Sequence, residues 1–235
     1  MAIALVAETD DEGGSGGTTL SAIDTTGASL LIAVLSCWAG GVSAATVPTD
    51  SKSNTWTALT ARGGAAAWTR IFYSVNPTVG TGHTMTWSDA SSFPVQYFAA
   101  FSGVDTSSPF DQQNGATGNA PLSTGAVVPS TDGQLIITGF SWDGSSGGIT
   151  GPSGYTALGS YEYESGGSNE GAWAGYLIQT TAASTNPELG LVNGRASAGA
   201  VATFKAAGGG GGRTTKNTRS HPLGIAAGIS WRVAG

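Results

Sequence analysis

The sequence predicts an all-β protein: a two-layer antiparallel β-sandwich, jelly-roll-like, with an extended arm at its C-terminal end. Three observations predict it. Runs rich in β-branched and aromatic residues recur at spacings of about 8–15 residues, divided by Gly, Pro, Asn and Asp clusters. No window keeps a 3.6-residue apolar period free of Gly and β-branched residues. Only 10% of the residues are charged, while 38 are Gly, and polarity without charge suits pleated surfaces and turns.

Taken in order, the expected strands are 2–7, 18–23, 30–38, 55–60, 67–75, 84–88 and 95–104, then 125–128, 134–142, 155–164, 171–180, 188–192 and 198–205. The run Leu30–Trp38 is apolar on both faces and reads as a central strand. In Trp68–Ser74, Trp68 and Phe72 share a face with Arg70, while Ile71 and Tyr73 share the other. Trp173, Gly175 and Leu177 likewise oppose Ala174, Tyr176 and Ile178. Aromatics on both faces imply two layers, some rings buried between sheets and others exposed. Short strands without crossover helices mean an antiparallel sandwich.

The chain has 235 residues, long enough to bury a core without disulfide or metal staples. The lone Cys37, inside an apolar run, reads as a small buried hydrophobe. The first residues lack the basic start of a signal peptide, and acids follow after Ala7. No apolar stretch approaches the roughly 20 residues of a membrane span. An extracellular type of composition without an export signal fits a virion protein released by lysis; a truncated chain or signal-independent secretion would explain it as well.

Three segments follow: a sandwich domain over 1–206, a glycine linker over 207–212, and a basic docking arm over 213–235. Arg213, Lys216, Arg219 and Arg232 are four of the nine basic residues. All fifteen acids precede the arm, so residues 1–212 carry −10 and the arm +4. That asymmetry points the arm at an acidic surface, including that of a neighbouring copy. Four dispersed charges offer few phosphate contacts, so nucleic acid is not the expected partner. Over 223–233, Leu223, Ile225, Ile229, Trp231 and Val233 alternate with Gly224, Ala226, Gly228, Ser230 and Arg232. This period-2 pattern reads as a strand seeking a sheet edge. Read as a helix it would present Gly224 and Gly228 as a GxxxG face, at about 2 kcal/mol for two internal glycines.

No catalytic constellation emerges, and no cofactor or metal is expected. His83 reads as a turn or edge residue, without a nucleophile elbow near it. Glu162 and Glu164 share one strand face about 7 Å apart, a spacing that glycosidase carboxylates use, but a solvated acidic face is the preferred reading. Asp10, Asp11 and Glu12 read as a solvated loop rather than a calcium loop. Trp142, Tyr155, Tyr161, Tyr163 and Trp173 are candidates for stacking on sugars, with core packing preferred for most.

The segments Asp50–Thr57, Trp68–Ser74, Phe101–Asp111, Gly133–Ile137, Gly154–Thr156 and Ala202–Ala207 together resemble a loosely defined β-sandwich family of phage virion and secreted bacterial proteins. The resemblance covers most of residues 1–206 and implies the fold, but it brings no catalytic residues. Such domains occur as virion decorations, fibre modules and adhesive modules. The expectation is therefore a non-enzymatic virion component, a capsid decoration, head-fibre or tail-associated subunit. Its expected partners are other virion proteins and its own copies, with cell-surface glycans as a further class and no membrane. The alternatives are an extracellular carbohydrate-binding or adhesive module, and a jelly-roll glycosidase or lyase.

Overall fold

The computed structural model describes residues 1–12, 18–38, 46–64, 66–88, 93–165 and 168–208. The arm and linker residues 209–212 lie outside them. The first half of the chain forms β1 (Ala4–Glu12), β2 (Thr18–Thr19), β3 (Leu30–Trp38), β4 (Thr49–Asp50), β5 (Thr57–Ala58), β6 (Arg62–Gly63), β7 (Ala67–Val75), β8 (Met85–Trp87) and β9 (Val95–Ser102). The second half forms β10 (Phe110–Asn119), β11 (Leu122–Ser123), β12 (Gln134–Asp143), β13 (Ile149–Thr150), β14 (Thr156–Ser165), β15 (Ser168–Gln179), β16 (Glu188–Leu191) and β17 (Ala196–Phe204). There is no helix among the described residues.

The two main sheets are antiparallel and face each other. One runs β1-β9-β3-β7-β5, with β6 also paired to β7, and the other runs β10-β17-β12-β15-β14. Leu30, Ile32, Val34, Ile71, Tyr97 and Phe101 meet Leu135, Ile137, Ala172, Ala174, Ala202 and Phe204 between them. Each large apolar side chain so buried contributes roughly 1.5–3 kcal/mol before ordering costs.

The outer faces are not left to water. A small sheet, β2-β8-β4, carries Leu20, Met85 and Trp87 against Leu31, Trp68, Phe72 and Phe98. A second one, β11-β16-β13, lays Leu122, Leu189 and Leu191 on Phe140, Trp142 and Trp173. This explains why β3 and β12 are apolar on both faces: antiparallel sheets usually keep one face wet, and here both are covered. It also corrects the expectation of exposed rings. Trp68 stacks on Trp87 at 5.9 Å, and Trp142 is fully buried.

The two halves repeat one plan. In each main sheet the first strand pairs with the last, the last with a central strand, and the central strand with the next long one. In each small sheet the order is also the same. Leu30 stands opposite Phe101, and Leu135 opposite Phe204. The bulge in β1 between Leu5 and Ala7 recurs in β10 between Phe110 and Gln112, at the same place against the partner strand. The isolated bridge Ile23–His83 has its counterpart in Val127–Thr185. A third bridge, Val104–Ala206, joins the halves to each other, with Asp105 N donating to Lys205 O (2.9 Å) and Ala207 N to Gly103 O (2.8 Å). It behaves as the seam of a local pseudo-twofold.

Several sequence expectations change. Strand β10 has no counterpart among the strands that the sequence predicts. Residues 125–128 form no strand; Val127 contributes only its bridge. Asp10 and Asp11 sit in β1, not in a loop, because the strand continues to Glu12 opposite Val95.

Candidate functional site

The residues expected to contact partners, Arg213, Lys216, Arg219, Leu223, Ile225, Ile229, Trp231 and Val233, all lie outside the described residues. What the structure places is the point of departure. Ala207 O accepts from the Met1 ammonium (3.2 Å), and Ala206 is in the seam bridge. Ala206 and Ala207 thus sit at the join between the halves.

His83 directly follows the turn at 81–82 and pairs with Ile23 in an isolated bridge just before β8, yet it does not face solvent. It is fully buried, as is Thr25. Thr25 Oγ1 lies 2.9 Å from His83 Nδ1, and Asp50 Oδ1 lies 3.1 Å from His83 Nε2, off the direction of a good hydrogen bond. The turn after β4 folds around the same carboxylate. Lys52 N (2.9 Å), Asn54 N (3.3 Å) and Asn54 Nδ2 (3.1 Å) donate to Oδ1, and Trp56 Nε1 donates to Oδ2 (2.8 Å). Asp50 thereby caps its own turn, as Asp side chains do, and reaches into the outer core. Burial acts to raise the Asp50 carboxyl, but these donors outweigh it and hold it below its ordinary value. Burial likewise holds His83 below the ordinary imidazole range, against the pull of Asp50.

Threonine, histidine and carboxylate in a row look like a charge relay. The side chains of Asp50 and His83 have no exposed surface, and Thr25 Oγ1 also accepts from Gly80 N (3.1 Å). A hydroxyl sealed in packing has no path to a substrate, so the arrangement works as a structural hub. Sequence reasoning missed it because residues 25, 50 and 83 belong to three separate segments. The only local signal was the Asp50–Trp56 turn.

The Glu162 carboxylate is half-buried rather than solvated. It accepts from Ser146 N and from Ser146 Oγ (2.9 Å), which fixes the turn after β12. The side chain of Glu164 lies outside the described residues, so its pairing with Glu162 does not arise there. Tyr161 points inward, and its hydroxyl donates to Asp10 Oδ2 (2.7 Å). No cluster of three His, Cys, Asp or Glu suited to a metal occurs among the described residues.

A carboxyl pair does occur elsewhere. Asp143 and Glu170 stand opposite each other on β12 and β15. Glu170 is 6% exposed, with Oε2 unpaired. Burial first, then the charge and hydrogen bond of Asp143, push Glu170 up to about 9.

Of the five candidate sugar-stacking rings, Trp142 and Trp173 are core residues and Tyr161 faces the sheet interface; the side chain of Tyr163 is outside the described residues. Tyr155 is different. It borders a groove of about 330 Å³ between the β13–β14 turn and the segment entering β16, with Pro152, Ser153, Thr185, Asn186 and Glu188 around it. Tyr155 is the counterpart of Trp56: Thr57 pairs with Tyr73, Thr156 with Tyr176, and each follows its ring directly. Thr185 is the counterpart of His83 through the two equivalent bridges. The groove therefore occupies, in the second half, the place that the Asp50 hub fills in the first. No family model, no curated protein and no solved structure matches the chain.

Proposed function

We propose that the protein is a non-enzymatic structural component of a phage virion, a capsid decoration, head-fibre or tail-associated subunit, anchored by residues 213–235. One observation carries this reading. A self-contained sandwich of charge −10 is followed, across a run of glycines, by a +4 segment with one greasy face. A strand that alternates in this way needs a sheet edge and apolar cover. The five-glycine run supplies the freedom to find them on another molecule. The opposite charges steer encounter between copies. Trp231 is the main anchor, being the largest apolar side chain of the arm.

The test is deletion of residues 213–235 and, separately, Trp231→Ala, followed by self-association and incorporation into particles. Both variants are expected to keep the sandwich and to lose assembly. A folded body that assembles as well as the parent in both variants overturns the proposal. A carbohydrate-binding or adhesive role is the second reading, favoured by the groove beside Tyr155.

A further inference from the structure

We infer that the groove at Tyr155 is a binding site for a neutral saccharide. The inference does not rest on the arm or on virion assembly.

The floor is apolar and stiff. Pro152 and Pro187 are buried beneath the groove, and Tyr155 is half-buried beside them. The Tyr155 hydroxyl lies 3.2 Å from Thr185 Oγ1, which fixes the ring before any ligand arrives. The ring also packs on the outer core clusters of this half, and the part of it that lines the groove is what meets the C–H side of a pyranose while its polar end stays paired. The rim is polar and free. Ser153, Asn186 and Glu188 are exposed. Glu188 Oε2 accepts from Ser123 Oγ (2.8 Å), which orients the carboxylate and leaves Oε1 available. The Asn186 amide and the Ser153 hydroxyl have no hydrogen bond among the described residues. These groups offer donors and acceptors suited to a row of hydroxyls.

Charge narrows the class. No Lys, Arg or His lines the groove, and Glu188 is its one charged residue, so an acidic sugar or a phosphate meets repulsion without a partner. One carboxylate is too few for a hard cation, which takes six or more oxygens. About 330 Å³ lies at the low end of ligand sites, room for one or two sugar units with a longer chain running out of the open ends.

The other half shows why the space exists. There the equivalent position is plugged by Asp50, with His83, Asn54 and Trp56 closing on it. In the second half Thr185 replaces the histidine, and no lining residue reaches in as Asp50 does. The plug is missing while the ring is kept and pinned.

The experiment titrates the full chain with hexasaccharides of glucose, mannose, xylose and N-acetylglucosamine, plus a hexauronate as the anionic control. Calorimetry reads affinity, and saturation-transfer NMR reads which sugar face is in contact. At least one neutral hexasaccharide is expected to bind and the hexauronate not. Tyr155→Ala should weaken binding about tenfold or more, as loss of a stacked ring does, while Tyr155→Phe keeps most of it. Asn186→Ala, on the exposed rim and without consequence for folding, should weaken binding by a smaller factor. Near-ultraviolet circular dichroism from Trp142 and Trp173 checks that each variant is folded. Three results overturn the inference: no neutral sugar of the panel binds, binding is unchanged in both Tyr155→Ala and Asn186→Ala, or the hexauronate binds as tightly as the neutral sugars.

Discussion

The two halves of this chain share a strand plan and fill it with opposite chemistry at three equivalent places. On the central strands, Val34 is flanked by Ile71 and Tyr97, whereas its counterpart Gly139 is flanked by Ala174 and Ala200. At the ends of the same strands, Trp38 stands opposite Ala67 and Asp143 stands opposite Glu170. Under the small sheets, a carboxylate hub in one half answers to an open groove in the other. The first contrast has a geometric cause. Close to a twofold axis related positions face each other, and Val34 Cγ1 points at Gly139, where two equally large residues would collide. Large against small satisfies both sheets, and interiors packed to crystal-like density require it.

The carboxyl pair gives the largest expected difference between the halves. The ordinary value for Glu170 is 4.5 and the folded value is about 9, so the folded chain holds a proton that the unfolded chain releases over that interval. The stability associated with this proton is fully present below pH 4.5 and is lost as pH rises towards 9. Each pH unit is worth at most about 1.4 kcal/mol, so the ceiling over the interval is about 6 kcal/mol. Glu170→Gln stays neutral in both states. Its urea midpoint should change less between about pH 5 and pH 9 than the parent's, and it should be the more stable protein at the alkaline end. The Trp38–Ala67 position carries no titrating group, so Trp38→Phe should keep the parent's pH slope. Parallel declines for parent and Glu170→Gln would remove Glu170 as the cause.

The hub and the groove differ next most. Asp50→Ala leaves Trp56 Nε1, Asn54 Nδ2 and two backbone N–H groups without their acceptor and takes the carboxylate away from beside His83. Breaking one side of a buried charged network costs about 3–5 kcal/mol. Thr185→Val, at the counterpart of His83, removes a single hydrogen bond to Tyr155 and should cost about 1 kcal/mol. Urea denaturation of both variants measures the contrast. Equal costs would mean that the hub is no more structural than the groove wall.

These differences also decide what could be read beforehand. The long strands β3, β7, β12, β15 and β17 were legible because each keeps an apolar alternation or a two-sided apolar run. Strand β10 was not, because Asp111, Gln112 and Asn114 read as loop. Those side chains serve as its cover instead. Asp111 Oδ1 accepts from Ser130 Oγ (2.8 Å), Gln112 Oε1 from Val128 N (3.1 Å), and Asn114 Nδ2 donates to Ala126 O (3.0 Å). The short strands of the small sheets are too brief to carry a period. The internal repeat escaped notice because the plan is kept by register while the side chains diverge; Trp56-Thr-Ala-Leu against Tyr155-Thr-Ala-Leu is the clearest trace in sequence. Of the candidate site, the sequence marks Tyr155 as a ring suited to stacking on sugars, but the groove beside it depends on Thr185 and Asn186, which no local pattern marks.

The smallest expected effect tests the complementarity across the seam directly. A Cβ at position 139 would collide with Val34 Cγ1, and Thr69 Oγ1 would stand 3.3 Å away. Gly139 is thus the hole into which Val34 fits. Gly139→Val sets two valines against each other, and overpacking of this kind costs about 1–3 kcal/mol. Part of that loss would be offset, because a β-branched residue suits a central strand better than glycine does. Val34→Ala alone opens a space in front of Gly139 and should cost about 1–2 kcal/mol through lost contact and cavity. If the two positions form one lock, the double variant must cost less than the sum of the singles, since the new valine fills the space the old one vacated. An interaction energy of about 0.5–3 kcal/mol from this cycle is the expected size for residues in contact. Rescue should stay partial, because Ile71 and Tyr97 still crowd one side while Ala174 and Ala200 leave room on the other. Strict additivity in urea denaturation would show that the sheets shift to absorb each change separately, and that large-against-small at this seam is tolerated rather than required.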